Sequence, residues 1–229
     1  MKLLPVAALA GFLFLPTPGE AASPIVVELF TSQSCSSCPP ADALLAELSR
    51  TRTDILALSF HVTYWDRLGW KDLYSLPQAT ERQRRYSALQ GRVGLYTPQL
   101  VAGGRHQAIG SDRPAVLAAI AATAADEPGV ELRLTRDADG LALSAGAGPG
   151  AGTLLLVGFD PSHTTRVASG ENAGRTLSEV NVVRSLTPVG AWHGEALSLR
   201  ARRPAGERTA VLLQAEDGRV MGAAVLPPG

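Results

Sequence analysis

From residue 25 onward, short apolar runs alternate with segments of helical period. Residues 25–30 (IVVELF) are rich in β-branched side chains and predict a strand. Residues 40–50 (PADALLAELSR) place Leu44, Leu45 and Leu48 on one face of a helix. Residues 55–60 (ILALSF) predict a second buried strand, and residues 77–90 (PQATERQRRYSALQ) a polar, Arg-rich helix with a solvated face. Residues 99–102 and 106–109 flank Gly103-Gly104, a hairpin pattern. Residues 111–125 (SDRPAVLAAIAATAA) predict a helix capped by Ser or Asp, with Pro in its first turn. This β-α-β-α-β-β-α order indicates an α/β layered structure.

The texture changes near Gly129. Residues 130–134 and 141–144 flank a DADG turn. Residues 153–159, 181–186, 196–200, 209–214 and 220–225 predict further strands between Gly- and Pro-rich turns. No helix is visible there, so the second half reads as a small all-β domain of sandwich type. The expected organisation is a leader over 1–22, an α/β domain over 23–127 and an all-β domain over 128–229.

The leader is read from residues 1–24 (MKLLPVAALAGFLFLPTPGEAASP). Lys2 precedes a short apolar centre, and Gly19-x-Ala21 supplies small residues before a cut near Ala21 or Ala22. That is the layout of a secretory signal peptide, which implies a periplasmic or secreted protein with no membrane span after cleavage. Lys plus Arg and Asp plus Glu are each 21, giving zero formal net charge. A nucleic-acid partner bound through bulk positive charge is therefore not expected. Hydrophobic residues at 45% supply a real core and exclude a disordered chain.

Chemistry concentrates at Cys35-Ser36-Ser37-Cys38, the only two cysteines of the chain. The pair directly follows a predicted strand and directly precedes a predicted helix. A thiol there faces free backbone N–H groups and the positive end of the helix dipole, both of which favour thiolate. Thiolate is the attacking species in disulfide exchange, and a second thiol three residues on can resolve a mixed disulfide. Cys35 is thus the candidate nucleophile and Cys38 the resolving thiol, acting on protein thiols or disulfides without a cofactor. A structural disulfide and metal binding remain open alternatives. One CxxC supplies two thiolate ligands, which suits Cu(I), with His61 as a third. A non-catalytic interaction module is a further possibility. The oligomeric state is not fixed.

Other residues gather around the pair by position. His61-Val62-Thr63-Tyr64-Trp65-Asp66 follows the second strand, where α/β sheets form sites. The chain has three Trp, four Tyr and five Phe; Phe12 and Phe14 lie in the leader, and Phe60, Tyr64, Trp65, Trp70 and Tyr74 are half of the remaining ten. His61 is a candidate for tuning a cysteine, and Trp65 and Asp66 for a binding surface. In residues 170–175 (GENAGR) the glycines imply a defined turn, in which Glu171 and Arg175 can pair.

The order of strand, CxxC, helix, strand, helix, Thr97-Pro98, hairpin and helix resembles the thioredoxin fold. The resemblance implies that Pro98 is cis, lies beside the CxxC and, with Thr97, helps hold a partner chain. It also implies a buried acid near the pair. Glu28, seven residues before Cys35, is the candidate, one residue farther than the thioredoxin pattern; the alternative is a Glu paired with one of the many Arg residues. The segments VELFTSQSCSSCPPAD, SFHVTYWDRLGWKD, ERQRRY, YTPQ and GENAGRTLSEVNVVR resemble, in order, a family of exported bacterial proteins with a thioredoxin-like domain, the domain-of-unknown-function family twelve twenty-three. No settled activity comes with that resemblance. A role for residues 170–175 rests on it alone.

Overall fold

The computed structural model describes residues 23–126, 129–138 and 140–228. The expected leader, residues 1–22, lies outside the described residues. The first half runs β1 (Ile25–Thr31), α1 (Pro39–Thr51), β2 (Ile55–His61), α2 (Pro77–Leu89), β3 (Gln99–Ala102), β4 (His106–Ile109) and α3 (Arg113–Ala124). The second half runs β5 (Leu132–Asp137), β6 (Gly140–Ala145), β7 (Gly152–Arg166), β8 (Thr176–Trp192), β9 (Leu197–Ala201), β10 (Arg208–Gln214) and β11 (Val220–Val225).

Local chemistry accounts for most of these boundaries. Pro39 and Pro40 open α1, where a missing N–H costs little, and Leu44, Leu45 and Leu48 form its buried face. Asp112 caps α3 by accepting the Ala115 N–H at 3.1 Å. Gly103 and Gly104 turn the β3–β4 hairpin with φ of 59° and 76°, which side chains rarely adopt. A Cβ on Gly104 would also lie 1.9 Å from the Gly218 carbonyl oxygen. The helix α2 has the expected solvated face, with Glu81, Arg84 and Arg85 exposed, and its opposite face also buries Arg82 and Gln83.

Eight strands form one sheet in the order β11-β10-β7-β8-β2-β1-β3-β4. β1 and β2 are parallel, β3 is antiparallel to β1, and β8 joins β2 in parallel at Ser59 and Val182. The expectation of a separate all-β domain is therefore corrected, since the two halves share a sheet. The joint is made by β8, whose Asn181 adopts φ 47° and donates its Nδ2 hydrogen to the Ala57 carbonyl of β2 at 2.9 Å. A remaining three-stranded sheet, β5-β6-β9, packs on β10 and β11 in sandwich fashion.

Strand alternation divides the core between the two faces of the large sheet. On one face Phe30, Leu58 and Phe60 join Leu155, Val157, Ala210 and Leu212 beneath Tyr86 of α2, so this core crosses both halves. On the other, Val27, Leu29 and Ala57 pack on α1 and α3, while Leu154, Leu156, Val211 and Leu213 pack on the small sheet.

Candidate functional site

The chain leaves β1 at Thr31, turns through Ser32, Gln33 and Ser34, and enters α1 at Pro39. The Cys35 N–H bonds the Ser32 carbonyl at 3.1 Å, closing that turn. Cys35 and Cys38 form a disulfide at the α1 N-terminus, and both are 0% exposed. Ser36 and Ser37 between them are exposed.

Thr97, Pro98 and Trp65 are brought to this place. The Thr97–Pro98 peptide is cis. Ser37 Oγ lies 3.5 Å from the Thr97 carbonyl oxygen, and Trp65 Nε1 donates to Thr97 Oγ1 at 2.8 Å. Asp66 sits elsewhere in the aromatic insert, accepting from the Asp72 N–H and the Ser75 hydroxyl, so it shapes that loop.

Glu28 is placed on the other side of the sheet. Alternation puts Val27, Leu29 and Thr31 toward α1 and Glu28 with Phe30 toward α2. One residue of spacing moves a side chain to the opposite face. There Glu28 accepts two hydrogen bonds from Arg82, at 2.6 and 3.1 Å, and one from Tyr86. Gln214 of β10 completes the network by accepting from Arg82 Nη1 at 2.9 Å.

The acid on the α1 side is Asp42. It stands one helical turn after Cys38, its N–H bonds the Cys38 carbonyl, and its carboxylate accepts from the Thr31 hydroxyl at 2.8 Å. Burial pushes its pKa up to about 7, against the pull of His61 and of the Thr31 hydrogen bond. His61 is wholly buried, with Nδ1 2.7 Å from Asp72. Burial alone would lower its pKa, but the charge and hydrogen bond of Asp72, with Glu179 and Asp42 beyond, raise it to about 9. Burial disfavours the charged form of Asp72, yet His61 and the backbone amides of Gln33 and Tyr74 hold its pKa low. Burial raises that of Glu179. Among the described residues, His61 Nε2 and Glu179 Oε2 are buried without a hydrogen-bond partner.

Gln33 ties this cluster to the cysteine segment. Its N–H donates to Asp72 at 2.7 Å, its side-chain NH₂ to Glu179 at 3.1 Å, and its side-chain oxygen accepts from Trp70 Nε1 at 3.0 Å.

The turn between β7 and β8, residues 170–175, reaches the same segment. Asn172 Nδ2 donates to the carbonyls of Gln33 and Cys35, both at 2.9 Å. Glu171 accepts the Ser36 N–H at 3.0 Å, and Arg175 donates to Asn172 Oδ1 at 2.9 Å. The expected Glu171–Arg175 pairing is thus replaced by contacts to the cysteine segment and within the turn.

The expected free N–H groups at the helix start are also largely taken. Pro39 and Pro40 have none, Ala41 and Cys38 bond the carbonyls of Cys38 and Cys35, and Ser36 serves Glu171. Ser37 Oγ, 3.3 Å from Cys35 Sγ, is the hydroxyl placed beside the sulfur.

Sequence reading did not single out Gln33, Asp42, Asp72 or Glu179, and it reached Asn172 only as part of residues 170–175. Asp42 carried a usable signal, an acid four residues after Cys38 inside an apolar helical pattern. Glu179 and Asn172 meet the site only through the long β7–β8 hairpin.

Among the described residues, no helix is long and apolar enough to cross a membrane. No curated protein matches this chain. The solved structure of protein AGR_C_4864 from Agrobacterium tumefaciens is 32% identical, with a TM-score of 0.78 over 91% of this chain and 96% of that one. HBP35 of Porphyromonas gingivalis, 11% identical, is similar in fold with a TM-score of 0.62 over 91% of this chain and 76% of that one. A family model described as a protein of unknown function, DUF1223, matches residues 26–214. The chain is therefore a member of the DUF1223 family.

Proposed function

We propose that this protein exchanges disulfides with protein thiols through Cys35 and Cys38, on a thioredoxin-like framework of β1, α1, β2, α2, β3, β4 and α3. The observation that carries the reading is the position of the disulfide between β1 and the α1 N-terminus, next to the Thr97–Pro98 turn. A staple for stability would tie distant segments, whereas this bond closes a loop with a separation of three residues.

In the reducing direction the Cys35 thiolate attacks one sulfur of a partner disulfide. A Cys35–partner disulfide forms and one partner thiolate leaves, taking a proton from water. The Cys38 thiolate then attacks Cys35 Sγ and expels the second partner thiolate. The protein gives up two electrons and the partner gains them. The reverse sequence oxidises a partner dithiol. Both sulfurs are buried, so a partner reaches Cys35 only after its cover shifts. In this reading Thr97 and Trp65, which a hydrogen bond joins, meet the partner chain. Export, as the N-terminal pattern implies, would put the pair in an oxidising compartment.

The test is exchange with a model aromatic disulfide. Cys35→Ser is expected to abolish it, and Cys38→Ser to accumulate the mixed disulfide. Unchanged exchange in Cys35→Ser would remove this reading.

A further inference from the structure

The exchange chemistry needs two cysteines and a helix start. The β7–β8 turn is an addition from the other half of the chain, yet it bonds the cysteine segment directly. Asn172 holds the Gln33 and Cys35 carbonyls, and Glu171 occupies the Ser36 N–H. The hydrogen bonds from Ser36 hold Glu171 below the usual carboxylate range, so it is charged wherever a thiol titrates.

A helix start normally stabilises an anion through free N–H groups. At α1 the two prolines remove two of them, and the Ala41 and Cys38 N–H groups are bonded to carbonyls. The Ser36 N–H, between the cysteines, is spent on a carboxylate that comes from 135 residues away. A negative charge therefore stands on the amide next to Cys35, while the Ser37 hydroxyl, 3.3 Å from Cys35 Sγ, lies beside the sulfur itself.

We infer that Glu171 is a positioning residue of the redox site, which keeps the Cys35 thiol less acidic than its helix start would make it and biases the pair toward reducing partner disulfides. This rests on the exchange reading above. The sign follows from charge. Glu171 repels the Cys35 thiolate but not the uncharged disulfide, so it favours the oxidised form of this protein and makes the reduced form the better electron donor. Other charged groups around the segment are Arg175 on the same turn, Asp42 on α1, the His61–Asp72 pair and Glu179 on β8. Glu171 is the one that holds an amide between the cysteines.

The test is the acidity of Cys35 in full-length protein carrying Cys38→Ser, where Cys35 is the single thiol, read from the pH dependence of iodoacetamide alkylation. Glu171→Gln keeps an oxygen for the Ser36 N–H and removes only the charge. It is expected to raise the acid constant of Cys35 about two- to fivefold at low salt, the size of a helix-terminal charge effect. The difference should collapse near about 1 M salt, where screening is short-ranged. With both cysteines present, Glu171→Gln should also shift the glutathione equilibrium toward the dithiol at a pH where the Cys35 thiolate is populated. Equal acid constants with and without Glu171 would overturn the inference and leave the exchange reading standing. Loss of the exchange reading would show instead as activity surviving Cys35→Ser, since alkylation needs only a thiol.

Discussion

The two faces of β1 carry two buried polar networks of opposite character. On the α2 face, Glu28 meets Arg82, Tyr86 and Gln214, with one positive charge for one negative. The guanidinium also lies 5.0 Å from the Tyr86 ring centroid and 5.6 Å from that of Phe60. On the α1 face, His61 faces three acids, Asp72, Glu179 and Asp42, and among the described residues Ser59 Oγ, His61 Nε2 and Glu179 Oε2 have no hydrogen-bond partner. The first network links β1 and α2 to β10, across the two halves, and is matched in charge. The second surrounds the cysteine segment and is unbalanced, and burial within it raises the Asp42 pKa to about 7. Closeness in sequence, Glu28 to Thr31, says nothing about which network a residue joins; the parity of the strand does.

The sharpest way to break this comparison is Arg82→Ala. It leaves the Glu28 carboxylate buried without its counter-charge and is expected to cost about 3–5 kcal/mol in urea unfolding. A loss below about 1 kcal/mol would mean that the network does not join the halves.

Asp42→Asn addresses the second network through pH. The Asp42 pKa rises from 3.8 unfolded to about 7 folded, so its stabilising contribution is complete below 3.8 and is lost as pH rises to about 7. His61 rises from 6.5 to about 9, so its contribution is complete below 6.5 and is lost as pH climbs to about 9. Both make the wild type less stable on the alkaline side. Asp72 acts oppositely, since its low folded pKa gives stability that is lost only as pH falls below the ordinary carboxylate range. Asp42→Asn should flatten the decline between pH 4 and 7 and gain on the order of a few kcal/mol at pH 8 relative to pH 5. The same difference from wild type at both pH values would show that Asp42 is charged in the folded protein throughout.

A smaller effect is expected at the contact between hairpin and cysteine segment. Asn172→Ala leaves the Gln33 and Cys35 carbonyls without the donor they share, at a cost of about 1–2 kcal/mol. The reduction of the disulfide by dithiothreitol should then speed up by up to about tenfold, as the covered state becomes less populated. An unchanged reduction rate would mean that the turn does not shield the sulfurs.

Much of the framework was legible in local pattern. The hairpin of β3 and β4 followed from Gly103-Gly104 with both strand boundaries matched. The extent of β7 and β8 was not. Residues 160–166 (DPSHTTR) show no apolar alternation, and Pro161 has no N–H for a ladder. The structure accommodates it between the registered pairs Asp160–Val182 and Ser162–Val180, opposite the irregular Asn181. Those extra residues make the arm that carries Glu179 and Asn172 to the cysteines, so misjudging the strand length left residues 170–175 with no place beside them. For Glu28 the alternative of an Arg partner is the one realised, with Arg82, and the proximity to the cysteines is not, for a different reason. Its burial was readable from IVVELF, but which side of the sheet the reactive helix covers is a property of packing.

Local pattern alone specifies the cysteine pair at a strand-to-helix junction, the proline start of α1, and the order of elements. Each of these depends on neighbours a few residues apart, where spacing, β-branching and missing N–H groups act directly. The tertiary structure alone decided that the halves share one sheet, that Asp42 rather than Glu28 lies on the side of α1, and that Glu171 takes an amide between the cysteines. The shared sheet and the Glu171 contact join residues more than a hundred positions apart, Asp42 meets Thr31 across eleven, and all form only when strand register and sheet order bring two faces together.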